Sequence, residues 1–347
     1  MAFHLNQYGL ITIMVNATRK PTQKSELAKN NAPQRVLRRA AVRTPAFTRV
    51  ALIGRRQTEG LAKTLGEIIG FFKNRGLEVM VERSTARAAA GEVDLKGIAQ
   101  PTLKQVGKEA DLAIVIGGDG TMLGFARQIA EYDIPMVGIN HGRLGFITDI
   151  SLDEWRTALG AILDGEYTEE HRVMLLAQAY SDERMIWEDM ALNDVVISRS
   201  SRSGMIELEV HVNRQFMYSQ RADGLIISTP TGSTAYALSA HGPILHPGVG
   251  GLVLVPVAPQ SLSNRPICLP DTANIHVAIT ESRLPRVACD MQMFGELVAG
   301  DVIEVRKSPY TARFLHPKGY SYFNTLRTKL NWHEMPQLKL KKPKALL

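Results

Sequence analysis

The chain has 347 residues, 45% of them hydrophobic, and a formal net charge of +7. That length exceeds what one hydrophobic core normally serves, so two domains are expected, with ample apolar residues to fill them. The excess charge belongs to the ends. Residues 1–46 carry eight Lys and Arg (Arg19, Lys20, Lys24, Lys29, Arg35, Arg38, Arg39, Arg43) against Glu26 alone, and Lys339, Lys341, Lys342 and Lys344 crowd the last ten residues. The body between them is slightly acidic, which removes the argument for a nucleic-acid-binding face.

Residues 1–46 read as a basic, disordered tail: after Asn16 they hold few large apolar residues, and Pro21 and Pro33 precede Pro45. The apolar run at 10–15 is too short to span a membrane, and no positively charged region precedes it. An organelle transit peptide, a start site placed too far upstream and a lineage-specific tail all fit this composition. Cys268 and Cys289 form no Cys-x-x-Cys, and no His cluster has ligand spacing, so a zinc site or disulfide framework is not expected. Two reduced thiols in a cytoplasmic protein are the expectation, with no membrane partner.

The body opens with a strand at 50–54 and a helix at 60–74, where Leu61, Leu65, Ile68 and Ile69 recur at helical spacing before Gly76. Strands at 77–81, 111–116 and 134–139 follow, with a helix from about 122 to 131, and this alternation predicts a parallel α/β sheet. Ser151 and Glu154 form a capping-box pattern opening a helix that runs to 163 and stops at Gly165. From 169 the rhythm becomes β-rich: 173–180, 185–198, 206–212, 216–221, 225–228, 252–257, 275–280, 286–289 and 302–305, with Asn213-Arg214 as a hairpin turn. A last helix covers 323–329. The expected fold class is α/β, with a β-rich, β-sandwich-like second domain.

Three segments carry chemistry. The strand at 111–116 ends in Gly117-Gly118-Asp119-Gly120, where glycines let a phosphate or ribose approach the backbone and Asp119 supplies a carboxylate. A catalytic acid and a plain helix cap are both open readings. Asn193-Asp194 interrupts an apolar run, as a bulge or as a ligand contact. After the strand at 225–228 come Ser228, Thr229, Thr231, Ser233 and Thr234, leading to a helix expected to start at Thr234-Ala235-Tyr236; these hydroxyls either cap it or meet a polar ligand.

In that order, with Asp223-Gly224 opening the third segment, the chain resembles the NAD kinases, which phosphorylate the adenosine ribose 2′-hydroxyl of NAD. The likeness runs from about residue 50 to 332 and takes in Gly138-Ile139-Asn140, Gly142, Leu144-Gly145-Phe146, Thr148-Asp149, His316-Pro317 and residues 320–326. Gly-Gly-Asp-Gly by itself is shared with lipid kinases of the diacylglycerol type and approximated in phosphofructokinases, whereas the combination is specific. Residues 219–239 match the proteobacterial branch.

The resemblance implies ATP as phosphoryl donor, Mg²⁺ or another divalent ion, and assembly as a homodimer or homotetramer. It makes Asp119 the proton acceptor and, with Gly120, a contact of NAD. It places Asn193, Asp194, Gly204, Arg221, Asp223, Thr234, Ala235, Tyr236, Ala237, Leu238, Ser239 and Gln292 along the dinucleotide, with Arg221 at a position where arginine accompanies preference for NAD over NADH. It also implies a discontinuous α/β domain (47–168 and 319–335), a β-rich domain (169–318) and a basic C-terminal tail (336–347). Two departures stand out: His241 occupies a usual glycine, and Gly204 stands where some relatives carry a ligand-contacting histidine. The competing readings are a diacylglycerol-type lipid kinase, disfavoured by the lack of a membrane-inserting amphipathic element, and a catalytically inactive nucleotide sensor, disfavoured by the intact Asp119.

Because the charge excess is confined to residues 1–46, removing residues 1–44 is expected to leave the melting temperature and the KM for NAD nearly unchanged. Thermal melting and initial-rate kinetics of the truncated protein check this; loss of folded protein would show that the tail packs.

Overall fold

The first strands are apolar and buried beyond their opening residues because both faces of their sheet are covered. In β1 (Arg49–Gly54), Val50 and Leu52 point to one core, and Ala51 and Ile53 to the other. The computed structural model describes residues 47–55, 60–142, 145–200, 204–281 and 284–332. The expected tails (1–46 and 336–347) and Leu144 lie outside the described residues.

After β1 come α1 (Leu61–Asn74), β2 (Glu78–Val81), α2 (Arg83–Ala88), α3 (Leu103–Glu109), β3 (Leu112–Gly117), α4 (Asp119–Ile129), β4 (Met136–Asn140), β5 (Ile150–Ser151) and α5 (Trp155–Leu163). The strands β2-β1-β3-β4 pair in parallel. Leu65, Ile68 and Phe72 of α1 and Leu159 and Ile162 of α5 cover one face, while Met122, Ala126 and Ile129 of α4 cover the other. Chain order places a topological switch between β1 and β3, and crevices outside the carboxyl ends of such strands are where open α/β sheets bind ligands.

The remaining elements are β6 (Tyr167–Ser181), β7 (Arg184–Ala191), β8 (Asp194–Ser198), β9 (Ile206–Val212), β10 (Gln215–Ala222), β11 (Gly224–Ser228), α6 (Tyr236–Ser239), β12 (Gly251–Val257), β13 (Ile267–Pro270), β14 (Ile275–Glu281), β15 (Arg286–Cys289), β16 (Gln292–Glu296), β17 (Val302–Pro317) and α7 (Tyr322–Leu330). Among the described residues, β17 joins the parallel strands at β4 and continues beside β14, β9 and β10, making an 11-stranded sheet with β6 and β7. A 6-stranded sheet, β13-β12-β11-β8-β15-β16, packs against this second half. Val195, Ile197, Leu225, Ile227 and Leu254 from one sheet meet Leu175, Leu208, Val277 and Ile303 from the other in a shared core, so the expected sandwich is present.

Several local expectations change. The run at 185–198 is not one strand: β7 pairs with β6 in the large sheet, whereas β8 pairs with β11 and β15 in the small one. The chain changes sheets at Leu192-Asn193, which is the physical reason for the polar pair there. The helix expected at Thr234–Tyr236 reduces to a 3-10 turn (Gly232–Thr234) and the single turn α6. The Ser151–Glu154 box does not form; Ser151 lies in β5, Glu154 makes no side-chain cap, and the two side chains bond each other at 3.1 Å. A capping box is found instead at Thr102 and Gln105, opening α3, which sequence reasoning missed. Asn213 and Arg214 adopt φ 52° and 67°, the left-handed pair of a two-residue hairpin.

Phe72 is fully buried between α1 and the sheet. Phe72→Ala is expected to cost about 3–5 kcal/mol, read as a lower urea midpoint with an unchanged slope.

Candidate functional site

Asp119 is the first residue of α4, directly after the glycines that end β3. Its carboxylate accepts hydrogen bonds from the backbone N–H of Phe146 (2.8 Å), Ile147 (3.2 Å) and Thr148 (3.2 Å) and from the Thr148 hydroxyl (2.9 Å). The Asn140 amide donates to that same hydroxyl at 2.9 Å, which directs its proton toward Asp119. Gly145 has to be glycine, because a Cβ there would collide with the Asp119 carboxylate and the Thr148 hydroxyl. Asp119 is thus a half-buried carboxylate fixed in one orientation, not a simple cap on its own helix.

Two cavities lie on different sides of α4. The first, about 550 Å³, opens between the carboxyl end of β1 and the first turns of α4 and is lined by Gly54, Arg55, Ser84, Arg87, Gly120, Thr121 and Gln292, among others. Two guanidinium groups and the first turn of an 11-residue helix make it an anion-binding place. The second, about 420 Å³, is lined by Leu123, Asn193, Asp194, Ala235, Tyr236 and Asp290, among others. Leu123 is four residues from Asp119, so the two share one helix face. Asp119 lines neither cavity: it stands at the start of α4, next to Gly120 of the first lining and one turn from Leu123 of the second, with its carboxylate turned to the 146–148 segment. A third cavity, about 380 Å³, shares Ser198 and Tyr236 with the second and adds Arg199, Asp223 and Gly224.

The Asn193-Asp194 turn is built by a residue that sequence reasoning passed over. Asp290, buried in the left-handed turn between β15 and β16 (φ 46°), accepts from the N–H of Leu192 (2.8 Å), Asn193 (2.7 Å) and Asp194 (3.2 Å). An Asp in a two-residue turn after an apolar strand was the available signal. Burial pushes the Asp194 carboxyl up to about 7, and the Asp290 charge adds to the rise. Burial also raises Asp290, against the backbone N–H groups that favour its charged form. Arg127 on α4 ties this corner together, donating to the Cys289 carbonyl (2.8 Å) and to Asp189 (3.3 Å).

The five hydroxyls after β11 resolve toward structure. Ser228, Thr229, Ser233 and Thr234 donate to the backbone carbonyls of Thr229, Leu192, Pro230 and Thr231, and Thr231 accepts from Arg172. Gly232 packs on the Asn193 backbone with no room for a Cβ, so this loop buttresses the Asn193 turn. Of the other expected contacts, Ser239 lines a separate cavity with His241. Gly204 is exposed between β8 and β9, Ala237 is buried, and Leu238 is half-buried; like Thr234, none of them belongs to the cavity linings given above. Arg221 pairs with Glu207 across β10 and β9 at 2.9 Å, and Asp223 with Arg199 at 2.9 Å. His241 has φ 65°, a left-handed backbone that explains why a glycine suits that position. Arg55, Arg87 and Leu123 were also missed; the position of Arg55, just past the end of a parallel strand, was the readable clue.

The fold and cavities define an α/β protein that presents an arginine-lined cavity and a largely apolar one on two sides of one helix, which begins with one fixed carboxylate. Among solved structures, yeast NADH kinase complexed with NADH has a TM-score of 0.76 at 22% identity, covering 85% of this chain and 91% of that one. An NAD kinase from Archaeoglobus fulgidus in complex with ATP has a TM-score of 0.61 at 24% identity, covering 82% and 99%. At such identities these likenesses show the fold alone. The ATP-NAD kinase N-terminal domain matches residues 50–167 and the ATP-NAD kinase C-terminal domain residues 192–317. The NAD kinase of Cupriavidus pinatubonensis is 50% identical over 306 residues, 88% of this chain and 98% of that protein. That of Variovorax paradoxus is 50% identical over 299 residues, 84% and 99%. The chain belongs to the ATP-NAD kinase family.

Because the folded-state Asp194 value lies above its ordinary 3.8, the folded chain keeps a proton that the unfolded chain releases between about 3.8 and 7. Stability drawn from this group is present at low pH and falls as pH rises through that window. Asp194→Asn, which cannot ionise, is expected to gain in melting temperature over wild type as pH is raised across it, with no further gain above. A gap that stays constant with pH would contradict the assignment.

Proposed function

We propose that the chain transfers the γ-phosphoryl group of ATP to the adenosine ribose 2′-hydroxyl of NAD, giving NADP. The observation that carries this is the arrangement around α4: an anion-binding cavity with Arg55 and Arg87, a second cavity with Asn193, Asp194 and Tyr236, and Asp119 fixed at the helix end they share. The arginine-lined cavity suits the donor triphosphate, and the Asn193 cavity suits the acceptor adenosine.

In phosphoryl transfer the protein's part is positioning and charge neutralisation. Asn193 and Asp194 meet the acceptor's polar groups, and Tyr236, 45% exposed, offers a ring to stack on. Asp119 accepts the hydroxyl proton. Its three backbone donors and the Thr148 hydroxyl hold the carboxylate still, and in a loose transition state where that proton leaves late, orientation counts more than basicity. Arg55 and Arg87 face the negative charge of the donor.

No group of three or more His, Cys, Asp or Glu that could hold a metal occurs among the described residues. That fits a divalent ion carried in on the donor phosphates, as Mg²⁺ usually is, where it supplies charge neutralisation. We assign 47–168 and 319–335 to the donor half and 169–318 to the acceptor half; the family matches to 50–167 and 192–317 support a boundary between those two stretches. Arg221 would act on the choice between NAD and NADH through its Glu207 pair, at a distance from the second cavity's lining. Among the described residues no helix is long and apolar enough to cross a membrane, and both cysteines are free thiols; we read the protein as cytoplasmic. Exposed apolar side chains such as Leu262 and Phe323 leave surface for a homodimer or homotetramer.

Purified protein supplied with NAD, ATP and Mg²⁺ is expected to form NADP, detected with an NADP-specific dehydrogenase. Asp119→Asn is expected to lower kcat by about two to four powers of ten. Unchanged turnover in folded Asp119→Asn protein would remove Asp119 from the chemistry, and product from diacylglycerol instead of NAD would replace the reaction.

A further inference from the structure

Around the buried His316 lies a set of charged groups that the transfer chemistry does not use. His316, near the end of β17 with its side chain 3% exposed, bonds Asp149 through Nδ1 at 2.9 Å and Glu170 through Nε2 at 3.1 Å. A neutral imidazole has one donor nitrogen, so two carboxylate partners at these distances require both nitrogens to donate and the ring to be a cation. Burial opposes that charge, but the hydrogen bonds and charges of Asp149 and Glu170 outweigh it, and the ring's pKa is raised. Glu170 also accepts from Arg172 at 2.7 Å, and the Arg172 side chain is 2% exposed. Two carboxylates thus face one imidazolium and one guanidinium, a balanced set. Tyr320 stacks on the His316 ring at 4.0 Å and 9°, which fixes its plane.

The set ends on both sides of the site. Asp149 follows Thr148, whose N–H and hydroxyl both bond Asp119. At the other end Arg172 donates to the Thr231 hydroxyl at 3.3 Å, next to the Gly232 that packs on Asn193. The bonded path therefore runs from Asp119 through Thr148-Asp149, His316, Glu170 and Arg172 to the loop under the acceptor turn.

We propose that His316 is a positioning residue: bonded at both ring nitrogens, it couples the Thr148-Asp149 segment that holds Asp119 to the Arg172–Thr231 contact behind Asn193, keeping the proton acceptor and the acceptor turn in register. It touches neither substrate. The kinetic consequence rests on the phosphoryl-transfer reading; the structural coupling does not.

The test is amide hydrogen exchange, resolved by peptide, on the full chain and on His316→Gln, together with NADP kinetics. Coupling predicts that the amides of Phe146, Ile147 and Thr148 and those of Thr229, Gly232 and Ser233 exchange at least ~10-fold faster in the variant, along with the local segment 314–322. It also predicts that kcat falls ~10- to 100-fold while the KM for ATP stays within about twofold. Adding Asp149→Asn to His316→Gln lets the Gln carbonyl accept from the new amide while its NH₂ donates to Glu170, and is expected to restore protection at 146–148. Should His316→Gln not fold, Asp149→Ala alone, which leaves the His316 Nδ1 with no side-chain partner on that segment, cuts the same link and carries the same expectation for 146–148. Faster exchange confined to 314–322, or a fall in kcat with both distant segments still protected, would overturn the proposal. A wild type that makes no NADP, with both segments loosened in the variant, counts for the coupling and against the reaction.

Discussion

A carboxylate placed at the open end of a parallel sheet is useful for chemistry only if its orientation is fixed, and here the grip on Asp119 comes from outside its own helix. The N–H groups of Phe146, Ile147 and Thr148 and the Thr148 hydroxyl converge on it. Hydrogen bonds to an ionised acceptor are stronger than neutral ones, so the loop and the helix end hold each other. Gly145 is small because the carboxylate occupies the space its Cβ would take, and Asn140 at the end of β4 orients the Thr148 hydroxyl. The strand ends β3 and β4, the helix α4 and the following loop thereby become one rigid corner.

The acceptor side follows the same logic with another aspartate. Asp290 gathers three successive N–H groups at the point where the chain leaves one sheet for the other, so an irregular turn is held as firmly as a helix cap. Gly232 and Thr229 brace it from below, through the Asn193 backbone and the Leu192 carbonyl. Asp194 is then carried at the rim of an apolar-walled cavity, where its ionisation is costly in the absence of a ligand's polar groups. Cavity walls from α4, β8, β15 and β16 meet there, and Arg127 links α4 to β15 and to the neighbouring β7.

Much of the fold was legible because the sheet positions and α1 obey simple periods: 50–54, 111–116 and 206–212 have the residues that doubly covered or alternating strands require. The glycine turn with Asp119 and the Asn193-Asp194 pair could also be singled out by eye. What could not be read was long-range. β17 runs to Pro317, far beyond the expected 302–305, since Arg306, Lys307 and Ser308 look like a loop until β6 is seen pairing alongside. The break between β7 and β8 has no signature except the polar pair itself. Three of the four donors that hold Asp119 are backbone groups, which no side-chain pattern announces, and of the hydroxyls of 228–234, which advertise a ligand, four bond to carbonyls instead.

The central claim is that Asp119, fixed by the 146–148 loop, faces the hydroxyl that is phosphorylated. A crystal structure of the full chain with NAD bound tests it most directly. The account predicts the adenosine in the Asn193–Tyr236 cavity, its ribose 2′-hydroxyl within about 3 Å of an Asp119 carboxylate oxygen, and the Phe146–Thr148 bonds intact. A dinucleotide bound with that hydroxyl turned away from Asp119, or bound only in the arginine-lined cavity, would contradict it.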